Sequence, residues 1–276
     1  MTIAAALAEA QQAIGRLEAR VLLRHVLRRD EAFLIAHCDD ELTAAQSADF
    51  GRFIARRAAG EPVAYLTGSR EFYGREFAVT PAVLIPRPDT ELLIELALQR
   101  LTSGGGRVLD LGTGSGCIGV TIAAERPQAQ VTLVDASADA LDIARMNAHC
   151  HAMANTTLLR SDWFAALAGA QYELIVSNPP YIAAGDAHLH EGDLRFEPQS
   201  ALAAGADGLA DIRRIVTEAP SHLVEGGWLL CEHGHDQADA CTALLQQAGF
   251  SEVFSARDLA GIRRVSGGRR QAESRA

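Results

Sequence analysis

A change of hydrophobic period at Arg107 constrains the fold more than any other feature of the chain. Beyond it, short apolar runs alternate with helix-length segments. RVLDLG is followed by Ile118 to Glu125, VTLVD by Ala138 to Asn147, TTLLRSD and YELIVSNPPY by Asp207 to Ala219, and GGWLLCEHG by Gln237 to Gln247. Parallel strands cannot be joined by a tight turn, so the alternation implies crossover connections and a mainly parallel sheet. The last two runs, SEVFSAR and IRRVSGG, have only Asp258 to Gly261 between them and are expected to pair antiparallel at one edge. The predicted fold class is α/β, a mainly parallel seven-stranded sheet with one antiparallel edge strand.

The chain before Arg107 has another character. From Thr2 to about Ala59 apolar residues recur at three and four (Leu7, Ile14, Leu17, Val21, Leu22, then Phe50, Phe53, Ile54), which predicts four or five helices. Gly60-Glu61-Pro62 ends them, and REFYGREFAV alternates around Gly74 as a short hairpin does. Pro81 to Pro88 leads into PDTELLIELALQRL, where Asp89 or Thr90 is placed to cap a new helix with Pro88 near its first turn. The domain boundaries that follow are 1–70 for a small N-terminal helical domain, 71–88 for the hairpin and linker, and 89–276 for the α/β domain. The tail GGRRQAESRA is expected to be disordered.

Composition removes several function classes. The most apolar stretches run for about 6 to 12 residues, short of the roughly 18 needed to cross a bilayer. The N-terminus is amphipathic rather than a basic region followed by an apolar core. No membrane association is expected, and the predicted location is the cytoplasm. Five scattered cysteines with no CxxC pair point to neither a disulfide framework nor zinc, and the histidine pairs lack a third ligand, so no metal is predicted. A net charge of −10 argues against a broad footprint for nucleic acid, and direct nucleic-acid binding is not expected. All 25 basic residues are arginine, which with the abundant alanine reads as genomic codon bias rather than chemistry.

In open α/β sheets ligands bind outside the carboxyl ends of the strands. The first such end carries DLGTGSG, where Gly112, Gly114 and Gly116, with Thr113 and Ser115 between them, let the backbone turn sharply and approach a ligand. The helix after it offers free N–H groups to a carboxylate or other anion. Gly114, Gly116 and Gly119 also satisfy GxGxxG, so glycine spacing does not separate a nicotinamide dinucleotide from S-adenosylmethionine. Asp135, closing the second strand, suits either as an acceptor for two ribose hydroxyls, or serves as the cap of the helix starting near Ser137. Asp162 and Trp163 follow the third strand, where the indole either flanks an adenine or packs under a helix.

Asn178-Pro179-Pro180-Tyr181, at the end of the fourth strand, is a motif that a dehydrogenase does not need. The Asn178 carboxamide and the Pro179 carbonyl are placed to accept the two N–H groups of an incoming amide or amine, fixing its nitrogen beside a methyl donor. Tyr181 offers a flat surface to a planar acceptor, or else packs at the strand end.

The chain resembles the protein-(glutamine-N5) methyltransferases that modify peptide chain release factors. FYGREFAVTPAVLIPRPDTELL, DLGTGSG, NPPY, DLRFEP and EHG carry the resemblance through nearly the whole length, and FYGREF with IPRPDTE is its most specific part. SDW at Ser161 to Trp163 stands where many relatives have GDW. The resemblance implies the class I S-adenosylmethionine-dependent methyltransferase fold, with Gly112 to Gly116, Asp135, Trp163 and Asn178 binding S-adenosylmethionine. It implies that Asn178, Pro179, Pro180 and Tyr181 hold the glutamine of the GGQ motif of class I release factors, with Asn178, Pro179 and Tyr181 acting in transfer. The N-terminal helical domain would then dock the protein substrate. Three alternatives stay open: an adenine-N6 methyltransferase acting on nucleic acid, a non-catalytic S-adenosylmethionine-binding factor, and a nicotinamide-dependent dehydrogenase. The loop Ile182 to Glu197 reads as either an ordered or a mobile lid.

Overall fold

The computed structural model describes residues 1–102 and 104–271, which divide into two units. The first comprises Met1–Ser69 together with Glu191–Phe196, and the second comprises residues 70–190 and the described chain from Glu197 onward.

Local capping sets the helices of the first unit. Thr2 Oγ1 accepts from Ala5 N–H at 3.2 Å to start α1 (Ile3–Ile14). The next helix, α2 (Arg16–Leu27), stops at Arg28 with φ 52°. Asp30 caps α3 (Glu31–Ala36), and a Thr43/Gln46 capping box starts α4 (Ala44–Ala58). The short α5 (Val63–Thr67) ends at the left-handed Gly68. Ile3, Leu22, Leu23, Leu34, Phe50 and Leu66 form the core of this unit. Leu17, expected on the apolar stripe, is 76% exposed, because the buried face of α2 is Ala19, Leu22 and Leu23.

A distant piece of chain completes this unit. Gly192–Phe196, within the loop left open between ordered and mobile, forms a 3-10 turn. Asp193 accepts from Arg57 Nη1 at 2.9 Å, while Arg57 Nε donates to Glu18 at 2.8 Å. Arg195 Nη2 donates to Ala59 O at 2.5 Å, passing over Gly60. A Cβ on Gly60 would lie 1.8 Å from that nitrogen, so this glycine admits the arginine as well as ending the helical region.

The hairpin β1 (Ser69–Phe72) and β2 (Arg75–Ala78), whose first residue closes the first unit, leads into α6 (Glu91–Arg100) after a 3-10 turn at Pro88–Thr90. The alternating elements follow in chain order: β3 (Arg107–Leu111), α7 (Cys117–Glu125), β4 (Gln130–Asp135), α8 (Ala138–Cys150), β5 (Thr156–Arg160), β6 (Tyr172–Ser177), α9 (Ala210–His222), β7 (Leu223–Glu232), α10 (Ala238–Gln247), β8 (Phe250–Arg257) and β9 (Arg263–Arg270). Seven strands lie in the order β5-β4-β3-β6-β7-β9-β8, with β9 antiparallel to both neighbours and the other pairs parallel. This is the α/β arrangement expected, and the reversed strand is the inner member of the edge pair. Strand β3 is buried on both faces: Val108 belongs to the core cluster of Ile118, Ile122 and Leu133, while Leu109 and Leu111 belong to that of Ile175, Ile212 and Leu229.

Two boundaries differ from the sequence expectation for identifiable reasons. Helix α9 starts at Ala210 rather than Asp207, since Gly205 and Gly208 are left-handed and Asp207 Oδ1 instead accepts from Leu209 N–H at 3.2 Å. In the tail, Gly267 to Arg270 belong to β9 rather than to a disordered segment. Gly267 and Gly268 resemble a linker but serve packing: a Cβ would come within 2.7 Å of Leu229 O at the first and within 2.7 Å of Phe250 Cβ at the second. The rest of the predicted tail, residues 272–276, lies outside the described residues.

Candidate active site

Strand order reverses between β3 and β6, and the carboxyl ends of β3, β4 and β6 converge there on a cavity of about 270 Å³. Gly112, Thr113, Gly114, Ser115, Asp135, Trp163, Asn178 and Pro180 all line it. Gly116, Pro179 and Tyr181 are outside its wall.

The glycine loop is held from below and from the side. Thr113 N–H donates to Val134 O at 2.9 Å, joining the loop to β4. Gly112, at φ 68°, lies against the indole: a Cβ there would sit 3.4 Å from Trp163 Cζ3. Asn147, which the sequence did not single out, ties three segments together, accepting from Ala78 N–H at 2.8 Å and donating to Ala78 O at 3.0 Å and Ser115 O at 2.8 Å.

Asp135 is the loop's carboxylate partner. Its Oδ2 accepts from Gly114 N–H and its Oδ1 from Ser137 N–H, each at 2.9 Å. The cap of α8 is Ser137, whose Oγ accepts from Ala140 N–H at 3.2 Å, so the capping role considered for Asp135 belongs to its neighbour. Each Asp135 oxygen retains a lone pair for a hydroxyl donor, the arrangement a vicinal diol needs. Trp163 takes the left-handed conformation at φ 49°, and its indole N–H bonds to Asp211 of α9. Asp162 also lines the cavity, with one oxygen accepting from Arg214 Nη1 at 2.8 Å.

Beneath the loop, Asp110 is completely buried. Its Oδ2 accepts from Thr113 Oγ1 at 2.5 Å and Gly119 N–H at 2.9 Å, while Oδ1 has no partner among the described residues. Burial pushes its pKa from 3.8 up to about 7, against the lowering effect of the two donors. Because the folded protein holds this proton more tightly than the unfolded chain, stability relative to a neutral isostere is full below about pH 3.8 and is lost as pH rises through about 7. The melting temperature of the wild type is therefore expected to fall relative to Asp110→Asn between pH 4.5 and 8. Parallel melting curves across that range would contradict the assignment.

At the end of β6, Asn178 Nδ2 donates to Thr90 Oγ1 at 3.2 Å. Thr90 was expected as a possible helix cap; its side chain makes no capping bond and faces the site instead. The other carboxamide atom, Asn178 Oδ1, is buried and has no hydrogen-bond partner among the described residues. A buried acceptor of this kind costs roughly 1–3 kcal/mol unless a ligand satisfies it. Pro179, next in the chain, is buried. The Tyr181 ring packs with the apolar cluster around Ile212 and Leu229, and its hydroxyl lies 3.5 Å from Glu232 Oε1 at the end of β7. Burial, and then Glu232, push the phenol pKa well up. Glu232 is itself buried and was given no role from the sequence; it is the first residue of EHG and closes the apolar run WLLC.

The site as a whole is a glycine-lined cavity with the Asp135 carboxylate and the Trp163 indole in its wall, beside the buried carboxamide oxygen of Asn178. The chain matches the PrmC N-terminal domain family over residues 2–68 and the Methyltransferase small domain family over residues 88–193. The release factor glutamine methyltransferase of Bordetella pertussis is 56% identical over 261 residues, covering 94% of this chain and 96% of the relative. That of Escherichia coli is 46% identical over 254 residues, covering 92% of each. Among solved structures, a methyltransferase from Pyrococcus furiosus superposes with a TM-score of 0.56 at 18% identity, over 79% of this chain and 98% of its own. The hMettl16 catalytic domain in complex with MAT2A 3'UTR hairpin 6 gives 0.59 at 16%, over 80% and 83%; at such identities the likeness extends to the fold alone. On the strength of relatives this similar along nearly its entire length, the chain belongs to the release factor glutamine methyltransferases.

Proposed function

We propose that this chain transfers a methyl group from S-adenosylmethionine to the side-chain nitrogen N5 of the glutamine in the GGQ motif of class I release factors. The observation that carries it is the unpartnered, buried Oδ1 of Asn178 on the wall of the cavity that also holds the glycine loop and Asp135. S-adenosylmethionine supplies a sulfonium methyl that is already activated. Backbone N–H groups at the start of α7 suit its carboxylate, Asp135 its ribose hydroxyls and Trp163 its adenine.

The protein's task is then to present a poor nucleophile. An amide nitrogen shares its lone pair with the carbonyl, so it attacks only when held in a pyramidal, aimed geometry. Asn178 Oδ1 accepts one N–H of the acceptor and the Pro179 carbonyl accepts the other, which turns the nitrogen toward the methyl and favours the attacking form. Positioning of this kind requires no side-chain base, and the proton leaves to water after transfer. Pro180 forms the adjacent wall. Tyr181 is assigned to bracing the tetrapeptide through its apolar contacts rather than to the acceptor's face.

The N-terminal helical unit is assigned to docking the release factor. The net charge of −10 favours a protein acceptor over a base in DNA or RNA. Among the described residues no helix is long and apolar enough to cross a membrane, and the cytoplasm, where release factors act, is the proposed location. Incubation with labelled S-adenosylmethionine and full-length release factor, followed by peptide mass mapping, is expected to place a single methyl on the GGQ glutamine. Label appearing in nucleic acid instead would replace this assignment with the adenine-N6 alternative.

A further inference from the structure

Asn178 Oδ1 and Nδ2 are nearly identical in size, so packing alone does not decide which of them faces the acceptor. The choice matters, since an NH2 group turned toward an incoming NH2 would repel it. What lies on the far side of the carboxamide therefore determines whether the site works.

Three side chains meet there. Strands β6 and β7 pair with Ser177 opposite Cys231, so Asn178 and Glu232 are the next residues along the two strands. Thr90, 2% exposed, joins them: its Oγ1 accepts from Asn178 Nδ2 at 3.2 Å and its hydroxyl donates to Glu232. A hydroxyl has a single proton, and with that proton committed to a carboxylate it meets Asn178 as an acceptor. Burial raises the Glu232 pKa from 4.5 to about 7, so the bond is charge-assisted above that pH; there a flipped carboxamide, which needs the proton for its own Oδ1, would take that bond away from a buried carboxylate.

We infer that Thr90 and Glu232 form a relay that fixes the polarity of the Asn178 carboxamide, so that its oxygen rather than its amino group faces the acceptor nitrogen. Both act through Asn178 and are positioning residues. The relay rests on Asn178 serving as the acceptor clamp. It also gives Glu232 a role that neither packing nor cofactor contact supplies, since Glu232 is outside the cavity wall and its Oε2 has no partner among the described residues.

The test compares Thr90→Val, Thr90→Ser, Glu232→Gln, Glu232→Leu and Asn178→Ala in the full chain, measuring kcat and KM with release factor and the S-adenosylmethionine Kd by calorimetry. Thr90→Val keeps the shape and removes the hydroxyl; losing the ordered carboxamide is expected to lower kcat by about 10- to 100-fold with the Kd within about threefold. Thr90→Ser restores the hydroxyl and is expected to return kcat to within about threefold of wild type. Glu232→Gln keeps an acceptor oxygen for Thr90 whereas Glu232→Leu does not, so kcat should fall in the order Glu, Gln, Leu. Wild-type kcat in Thr90→Val, no recovery in Thr90→Ser, or equal rates for the Gln and Leu variants would each overturn the relay. If Asn178→Ala is inactive while Thr90→Val is not, only the relay fails. If Asn178→Ala remains active, the acceptor assignment fails and the relay with it.

Discussion

Asn178→Ala is expected to lower kcat for release factor methylation by about 10²- to 10³-fold, the range seen when one preorganised group at a reacting centre is removed. The substitution removes a buried oxygen that no described protein group satisfies together with the Nδ2 bond to Thr90, changes of opposite sign for stability, and it leaves the acceptor unheld. S-adenosylmethionine affinity should change by no more than about tenfold, because the proposed cofactor contacts rest mainly on the glycine loop and Asp135 rather than on Asn178. Single-turnover kinetics with saturating cofactor, alongside calorimetry, separate the two effects. A variant with normal single-turnover rate would remove Asn178 from the chemistry.

Asp135→Ala is expected to act on the other half of the site. Two charge-assisted bonds to ribose hydroxyls are worth about 1.5–3 kcal/mol each, partly offset by rearrangement, so the S-adenosylmethionine Kd should rise by about 10²-fold. Gly114 and Ser137 also lose their shared acceptor, which loosens the loop at the point where it approaches the ligand. Titration of wild type with NADH provides the accompanying control, as the GxGxxG spacing also fits a dinucleotide. An unchanged Kd in the variant, or tight NADH binding by the wild type, would displace Asp135 from its assigned role.

What could be read from the sequence follows from how local each signal is. The strand-helix alternation, the glycine turn and the carboxylate at the end of β4 are written in consecutive residues, and they were legible. Asn178 was legible because the tetrapeptide is contiguous. Thr90 and Glu232 meet Asn178 only through the pairing of β6 with β7 and the path of the chain before α6, and no spacing in the sequence encodes such a meeting. Thr90 also gave a misleading local signal, a capping residue at a helix start whose side chain is used elsewhere. The glycines of β9 misled in the same way, because their purpose is visible only once Phe250 and Leu229 lie against them. The place of β9 between β7 and β8, rather than outermost, is likewise a matter of sheet order.

The helical unit takes its last pieces from far along the chain, and this has a consequence for synthesis. When the ribosome has released the first seventy residues, Arg57 has Glu18 available, but Asp193 lies 136 residues further on. Arg195 and the Ala59 carbonyl are separated by the same distance. The nascent N-terminal helices therefore lack the Asp193 carboxylate and the Arg195 guanidinium over Gly60 until β6 and the loop after it have emerged. Completion of the N-terminal unit is thereby coupled in time to the appearance of the acceptor motif, so a nascent chain arrested before Asn178 never displays the finished N-terminal unit.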